Sequence, residues 1–168
     1  MPISVNVSRL EFYDPYLYDN IINLVEKYQL ELAQLKLEIT ESACIDDHQQ
    51  LLHELQKLRK YGFQVLLDDF GSGYSSLGML KDIPVDTLKL DMHFLSEDNL
   101  CGKGSIILAS IIQMVRELHI STIAEGIETQ KQRDFVKKSG CISGQGYYYA
   151  KPLPMEEFYP CYQQQICK

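Results

Sequence analysis

Val65-Leu66-Leu67-Asp68-Asp69-Phe70-Gly71-Ser72-Gly73-Tyr74-Ser75-Ser76-Leu77 begins as an apolar run, breaks on two adjacent carboxylates and continues through a glycine-rich turn. Leucine and valine without polar alternation read as a strand covered on both faces, which is the habit of a parallel sheet. Two neighbouring carboxylates at the end of such a strand repel each other unless a cation lies between them or one takes up a proton. The competing reading is a solvated acidic turn whose glycines serve tight φ angles. The glycines alone say little about phosphate, since the lysine of a P-loop does not follow them.

Outward from this stretch, the chain alternates two periods. Short β-branched or leucine-rich runs over 2–8, 35–40, 63–68, 86–91, 121–125 and about 141–147 predict strands. Between them lie stretches with helical spacing. Leu17, Ile21, Leu24, Val25 and Tyr28 follow Asp14-Pro15, a cap and first-turn proline, and Leu51, Leu52, Leu55 and Leu58 run to a stop at Gly62. Helices are also predicted over 105–118, 129–138 before Gly140, and 155–166. About six βα units result, in an α/β chain with a helix-covered parallel sheet. Two architectures fit this count: an open doubly wound sheet, or a (β/α) barrel with fewer than its eight units.

Nearly every predicted strand ends in a polar group. Asn6 follows Ile3-Ser4-Val5, and Glu38 interrupts Leu35-Lys36-Leu37 and Ile39-Thr40-Glu41. A half-buried strand glutamate is costly without a partner, although an outward-facing edge position would also explain it. Lys89 and Asp91, two apart, share a strand face and could form an interior ion pair. Glu125 and Glu128 bracket Gly126-Ile127, where they could bind metal, accept a proton or cap the next helix. In parallel strands these ends share one face. An oxygen-rich set without histidine or cysteine suits hard ions such as Mg²⁺ or Mn²⁺, whose usual work is phosphoryl chemistry.

The 168 residues are 45% hydrophobic and 23% charged, enough for one sizeable core and one domain. A net charge of −7 disfavours a nucleic-acid polymer as partner. The longest apolar run, Ile106 to Val115, is interrupted by Ser110 and Gln113 and is too short to span a bilayer, and Met1-Pro2-Ile3-Ser4 lacks signal-peptide character. A cytoplasmic setting is expected. Cys44, Cys101, Cys141, Cys161 and Cys167 are scattered without a Cys-x-x-Cys pair, which fits reduced thiols. His48, His53, His93 and His119 lack metal-binding spacing.

Asn6-Val7-Ser8, Glu38-Ile39-Thr40-Glu41, Asp68 through Leu77, Lys89-Leu90-Asp91, Ala124 through Thr129, and Gln145-Gly146-Tyr147 through Lys151-Pro152 resemble, in that order, the EAL domain of bacterial cyclic-di-GMP phosphodiesterases. The resemblance implies a TIM-like (β/α) barrel, here N-terminally truncated to about six βα units. Residues 1–168 would be a partial EAL domain, its C-terminal two-thirds or so. The implied reaction is two-metal hydrolysis of cyclic-di-GMP to linear pGpG. Asn6, Glu38, Asp68 and Asp69 would be ligands of Mg²⁺ or Mn²⁺, with two ions in a complete site. Lys89 would orient the attacking water or neutralise phosphoryl charge, and Glu125 would be a base or second-metal ligand. Gln145 and Tyr147 would contact substrate, with Glu41, Asp91 and Glu128 in support. The loop from Asp69 to Ser76 would couple dimer contacts to metal binding, with Glu41 as its anchor.

The family's Glu-Ala-Leu signature and the arginine after it belong to a strand ahead of the Asn6 strand, and Glu31-Leu32-Ala33 lies in the wrong place to replace them. Turnover by these 168 residues is therefore expected to be weak or absent. A non-catalytic EAL module, serving as a cyclic-di-GMP sensor or protein-interaction domain, is the second expectation. Self-association through open barrel edges and a GGDEF or sensory domain upstream in a longer chain are also expected. A receiver domain shares an acid pair, a later Asp and Lys151-Pro152, but places its acid pair on the first strand.

Overall fold

Six strands form one parallel sheet in the order β1-β2-β3-β4-β5-β6: β1 Ile3–Asn6, β2 Leu35–Thr40, β3 Gln64–Phe70, β4 Thr87–Asp91, β5 Ser121–Glu125 and β6 Ser143–Gly144. Each strand pairs with its sequence neighbour. A doubly wound sheet reverses its order at a switch point, so unbroken sequential order selects the barrel type, present here as six strands of a TIM-like barrel. This computed structural model describes residues 2–44, 48–71, 77–92, 102–141 and 143–166.

The connecting helices are α1 Leu17–Lys27, α2 His48–Tyr61, α3 Lys103–Glu117 and α4 Gln130–Lys138, with α5 Met155–Ile166 after the last strand. Their caps follow from sequence. Thr129 Oγ1 accepts from the Gln132 backbone N–H at 3.3 Å while Gln132 Oε1 accepts from the Thr129 N–H at 2.9 Å, a reciprocal capping box that starts α4. Gly62 ends α2 at φ +123°, with its N–H and that of Phe63 both donating to the Leu58 carbonyl. α1 begins later than Asp14-Pro15 predicts. Asp14 Oδ1 instead accepts from the Tyr16 N–H at 2.9 Å, closing a turn before the helix.

The core lies where the central strands meet the helices. Leu37, Ile39, Val65, Leu66, Leu67, Leu88 and Leu90 are buried from both strand faces, together with Leu51, Leu55 and Leu58 of α2 and Leu108, Ile112 and Val115 of α3. β1 differs, since all four of its residues are exposed, Ile3 at 56% and Val5 at 41%. The sixth strand is two residues long rather than seven. Cys141 turns inward, its thiol donating to the Ser143 carbonyl at 3.1 Å, and the chain leaves the sheet after Gly144.

At the N-terminal ends of the strands Asp86 ties three segments together. Its Oδ1 accepts from Arg59 Nη2 at 2.6 Å, its Oδ2 accepts from the Val65 N–H at 2.8 Å, and its carbonyl accepts from the Ser121 N–H at 3.0 Å. The opposite ends of the strands carry the polar residues.

Candidate metal centre

Four successive strands deliver Glu38, Asp68, Lys89 and Glu125 to one point. Lys89 Nζ lies 3.1 Å from Glu38 Oε1, 3.0 Å from Asp68 Oδ1 and 2.9 Å from Glu125 Oε1. Lys89 and Glu38 are 6% and 7% exposed, so neither charge is stabilised by bulk water. A buried ammonium is tolerable only with its protons satisfied, and three carboxylates do so here. Glu38 is buried although Leu37 and Ile39 on either side are buried as well, because β2 is covered on both faces.

Asp69 joins this group through a break in pleating. Leu67 of β3 pairs with Leu88 of β4, but Phe70 pairs with Leu90, so three steps on β3 oppose two on β4. Such a bulge turns an extra residue out of strict alternation. Asp69 takes φ +56°, a left-handed conformation that aspartate adopts more readily than most residues. Its N–H donates to Asp68 Oδ1 at 2.9 Å. As a result Asp68, Asp69 and Glu125 each offer an oxygen within 4.8 Å of the others.

The electrostatics register the crowding. Burial first, and the Asp68 carboxylate with it, push Glu125 up to about 7 against the opposing pull of Lys89. Asp69 is also raised, by burial and then by the Asp68 and Asp91 carboxylates. For Lys89, burial pulls downward, but the hydrogen bonds to Glu125 and Asp68 outweigh it and leave the ammonium above the ordinary lysine range. One lysine does not neutralise the set, and the all-oxygen donors fit a hard divalent ion.

The remaining predicted residues lie at or just beyond the C-terminal ends of the strands. Asn6 is exposed at the end of β1, in register with Glu38. Glu41 is buried at 7% exposure, and its Oε2 accepts from the Gly71 N–H at 3.3 Å where the chain leaves β3. Asp91 ends β4 opposite Glu125. Glu128 is exposed in the turn before α4, its N–H donating to Gln132 Oε1 at 2.9 Å. Gln145 and Tyr147 are exposed just after β6, with the Lys151 ammonium 5.5 Å over the Tyr147 ring. Of the loop expected to couple dimer contacts to the site, residues 72–76 lie outside the described residues.

Two features escaped the sequence reading. One is the bulge, for which only the Asp-Asp doublet itself was a signal. The other is the Ile127 backbone, whose N–H donates to the Gln145 carbonyl at 3.0 Å and whose carbonyl accepts from the Tyr148 N–H at 2.9 Å. Gly146 permits this approach, and its place between Gln145 and Tyr147 could have marked it.

The chain resembles known proteins in sequence and in fold. A family model described as EAL domain matches residues 1–152. The chain is 37% identical over 155 residues to the bifunctional diguanylate cyclase/cyclic di-GMP phosphodiesterase MucR of Pseudomonas aeruginosa, covering 92% of this chain and 23% of that protein. It spans 19% to 23% of the length of the first curated relatives it matches. Among solved structures, the PaMucR phosphodiesterase in complex with c-di-GMP superposes at TM-score 0.86 and 37% identity, covering 94% of this chain and 70% of that one. The EAL domain of Mycobacterium smegmatis DcpA superposes at TM-score 0.90 and 30% identity, covering 98% and 74%.

Proposed function

The chain belongs to the EAL domain family, and from that premise we propose that residues 1–168 form part of a cyclic-di-GMP phosphodiesterase centre. The observation that carries this reading is the convergence of the Asp68, Asp69 and Glu125 carboxylates at the C-terminal ends of parallel strands, with Lys89 paired to Asp68 and Glu125.

Asp68 and Asp69, with Glu38 and Asn6 alongside, are the residues to hold Mg²⁺ or Mn²⁺, and Glu125 is a base or a ligand of a second ion beside them. Bound divalent ions would acidify a water and screen charge on the phosphodiester. Glu125, beside Asp68 and Asp69, would take the proton of an attacking water. Lys89 stays charged near neutrality, so it acts as a cation toward the phosphoryl oxygens rather than as a base. Gln145 and Tyr147, exposed just after β6, would meet the base or ribose of the dinucleotide. The product is linear pGpG.

Turnover by the 168 residues alone is slow or absent, because Asn6 stands on an exposed strand without the burial that fixes Glu38 and Lys89. The same exposure supports the second reading, a module that binds cyclic-di-GMP without hydrolysing it. Self-association along the open β1 edge, with Ile3 and Val5 exposed, and a cytoplasmic setting complete the proposal. Among the described residues no helix is long and apolar enough to cross a membrane.

Calorimetric titration of the chain with cyclic-di-GMP in Mn²⁺ or EDTA, beside chromatography of the nucleotide products, tests the proposal. Mn²⁺-dependent binding with slow pGpG release supports the enzyme, and binding without product supports the sensor. Neither binding nor product at excess Mn²⁺ removes both.

A further inference from the structure

Lys89 stands where charge balance would otherwise demand an ion. Its ammonium reaches Glu38, Asp68 and Glu125 at 2.9 to 3.1 Å, three acids from three different strands, at a point almost closed to solvent. A divalent ion in the proposed centre would draw on Asp68 and Glu125 as well. Two cations cannot both keep close contact with the same oxygens without strong mutual repulsion.

We propose that Lys89 is a tethered stand-in for the divalent ion, holding Glu38, Asp68 and Glu125 together in the metal-free chain and yielding those oxygens when metal binds. This rests on the metal-centre reading above. It explains how a cluster of buried and half-buried carboxylates can persist in a folded protein before any ion arrives. Without the ammonium, at least three acids would face one another across β2, β3 and β5 with no compensating charge. With it, the ligand oxygens are preassembled and metal entry is an exchange of one cation for another. The exchange has a cost, since each ion pair that Lys89 gives up opposes metal binding.

The test compares wild type with Lys89→Met, which keeps the aliphatic stem and removes the charge. Thermal unfolding by circular dichroism is followed in EDTA and in Mn²⁺, with Mn²⁺ affinity measured by calorimetry. The expected result is a lowered Tm for K89M in EDTA, a larger Mn²⁺-induced rise in Tm than wild type shows, and Mn²⁺ binding tightened by at least roughly tenfold. In the K89M background, Glu38→Gln should recover part of the Tm lost in EDTA by removing one of the repelling charges. A K89M deficit equal in EDTA and Mn²⁺, or Mn²⁺ affinity unchanged or weakened, overturns the stand-in role. Should K89M be unfolded in EDTA, recovery of the folded spectrum on adding Mn²⁺ supports the proposal, and failure to recover refutes it. Wild type that binds no Mn²⁺ at all would instead overturn the metal-centre reading itself.

Discussion

Asp68 and Asp69 are neighbours in a β-strand, yet both carboxylates lie within 4.8 Å of the Glu125 carboxylate. Regular pleating would send them to opposite faces. The shift in register between Leu67 and Phe70 and the left-handed φ of +56° at Asp69 bring them together. The doublet is thus a statement about backbone shape as well as charge.

Substitutions at Asp69 should separate these two contributions. Asp69→Asn tolerates the left-handed conformation and should fold as wild type while weakening Mn²⁺ binding by roughly tenfold or more, the scale of losing one charged ligand. Asp69→Val meets the same loss and adds about 1–2 kcal/mol of backbone strain. Urea unfolding of the two variants beside Mn²⁺ calorimetry checks this, and equal stabilities would argue that the bulge is not fixed at Asp69.

Metal affinity should depend on pH near neutrality. Glu125 is raised by burial from 4.5 to about 7, so between those values the folded chain binds more protons than the unfolded one. In metal-free protein its contribution to stability is therefore present at low pH and declines as pH rises towards 7. Mn²⁺ needs the deprotonated carboxylate, so its affinity should climb from pH 5.5 to 7.5 and then level off, with proton release visible in buffers of different ionisation enthalpy. Affinity independent of pH across that window would contradict the raised value.

Asp86 should matter to stability and not to metal. Its pair with Arg59 is partly exposed, at 37% and 27% for the two side chains, and deserves little by itself. The bond it accepts from the Val65 N–H at 2.8 Å is more sheltered. Asp86→Ala should cost about 1–3 kcal/mol and Arg59→Ala about 0–1 kcal/mol in urea unfolding. Mn²⁺ affinity should stay at the wild-type level in both.

Gly146→Ala should be among the most damaging single-atom changes in the chain. Gly146 has φ +150°, and an added Cβ would fall 2.2 Å from the Ile127 carbonyl oxygen and 2.3 Å from its nitrogen. Both contacts are to backbone, so relief requires moving the turn that carries Gln145 and Tyr147. A loss of at least about 2 kcal/mol in unfolding experiments is expected. Wild-type stability would show that this turn adapts.

Periodicity predicted the number of strands and their parallel arrangement, because strands covered on both faces lose polar alternation, as in Val65-Leu66-Leu67. It could not choose between a doubly wound sheet and a barrel, since strand order depends on how helices pack between non-adjacent residues. The sequential pairing from β1 to β6 makes that choice. Capping was legible at Gly62, where the interaction spans four residues, while α4 is capped by Thr129 rather than by the Glu125 or Glu128 that the sequence offered. It misled at Asp14-Pro15, where an aspartate that can cap a helix instead closed a turn.

The amino-acid order alone determined which chemical groups this protein brings to its strand ends: carboxylates, an amide and a single lysine, a set suited to hard cations. That follows from short-range patterning, which places polar residues where apolar runs stop. Only the tertiary structure decided which acids Lys89 holds and how Asp69 turns back toward Glu125. Those outcomes depend on contacts among β2, β3, β4 and β5 and on one bulge between two of them. The electric environment that raises Glu125 and keeps Lys89 charged exists only when residues up to 87 positions apart share one small volume nearly closed to water.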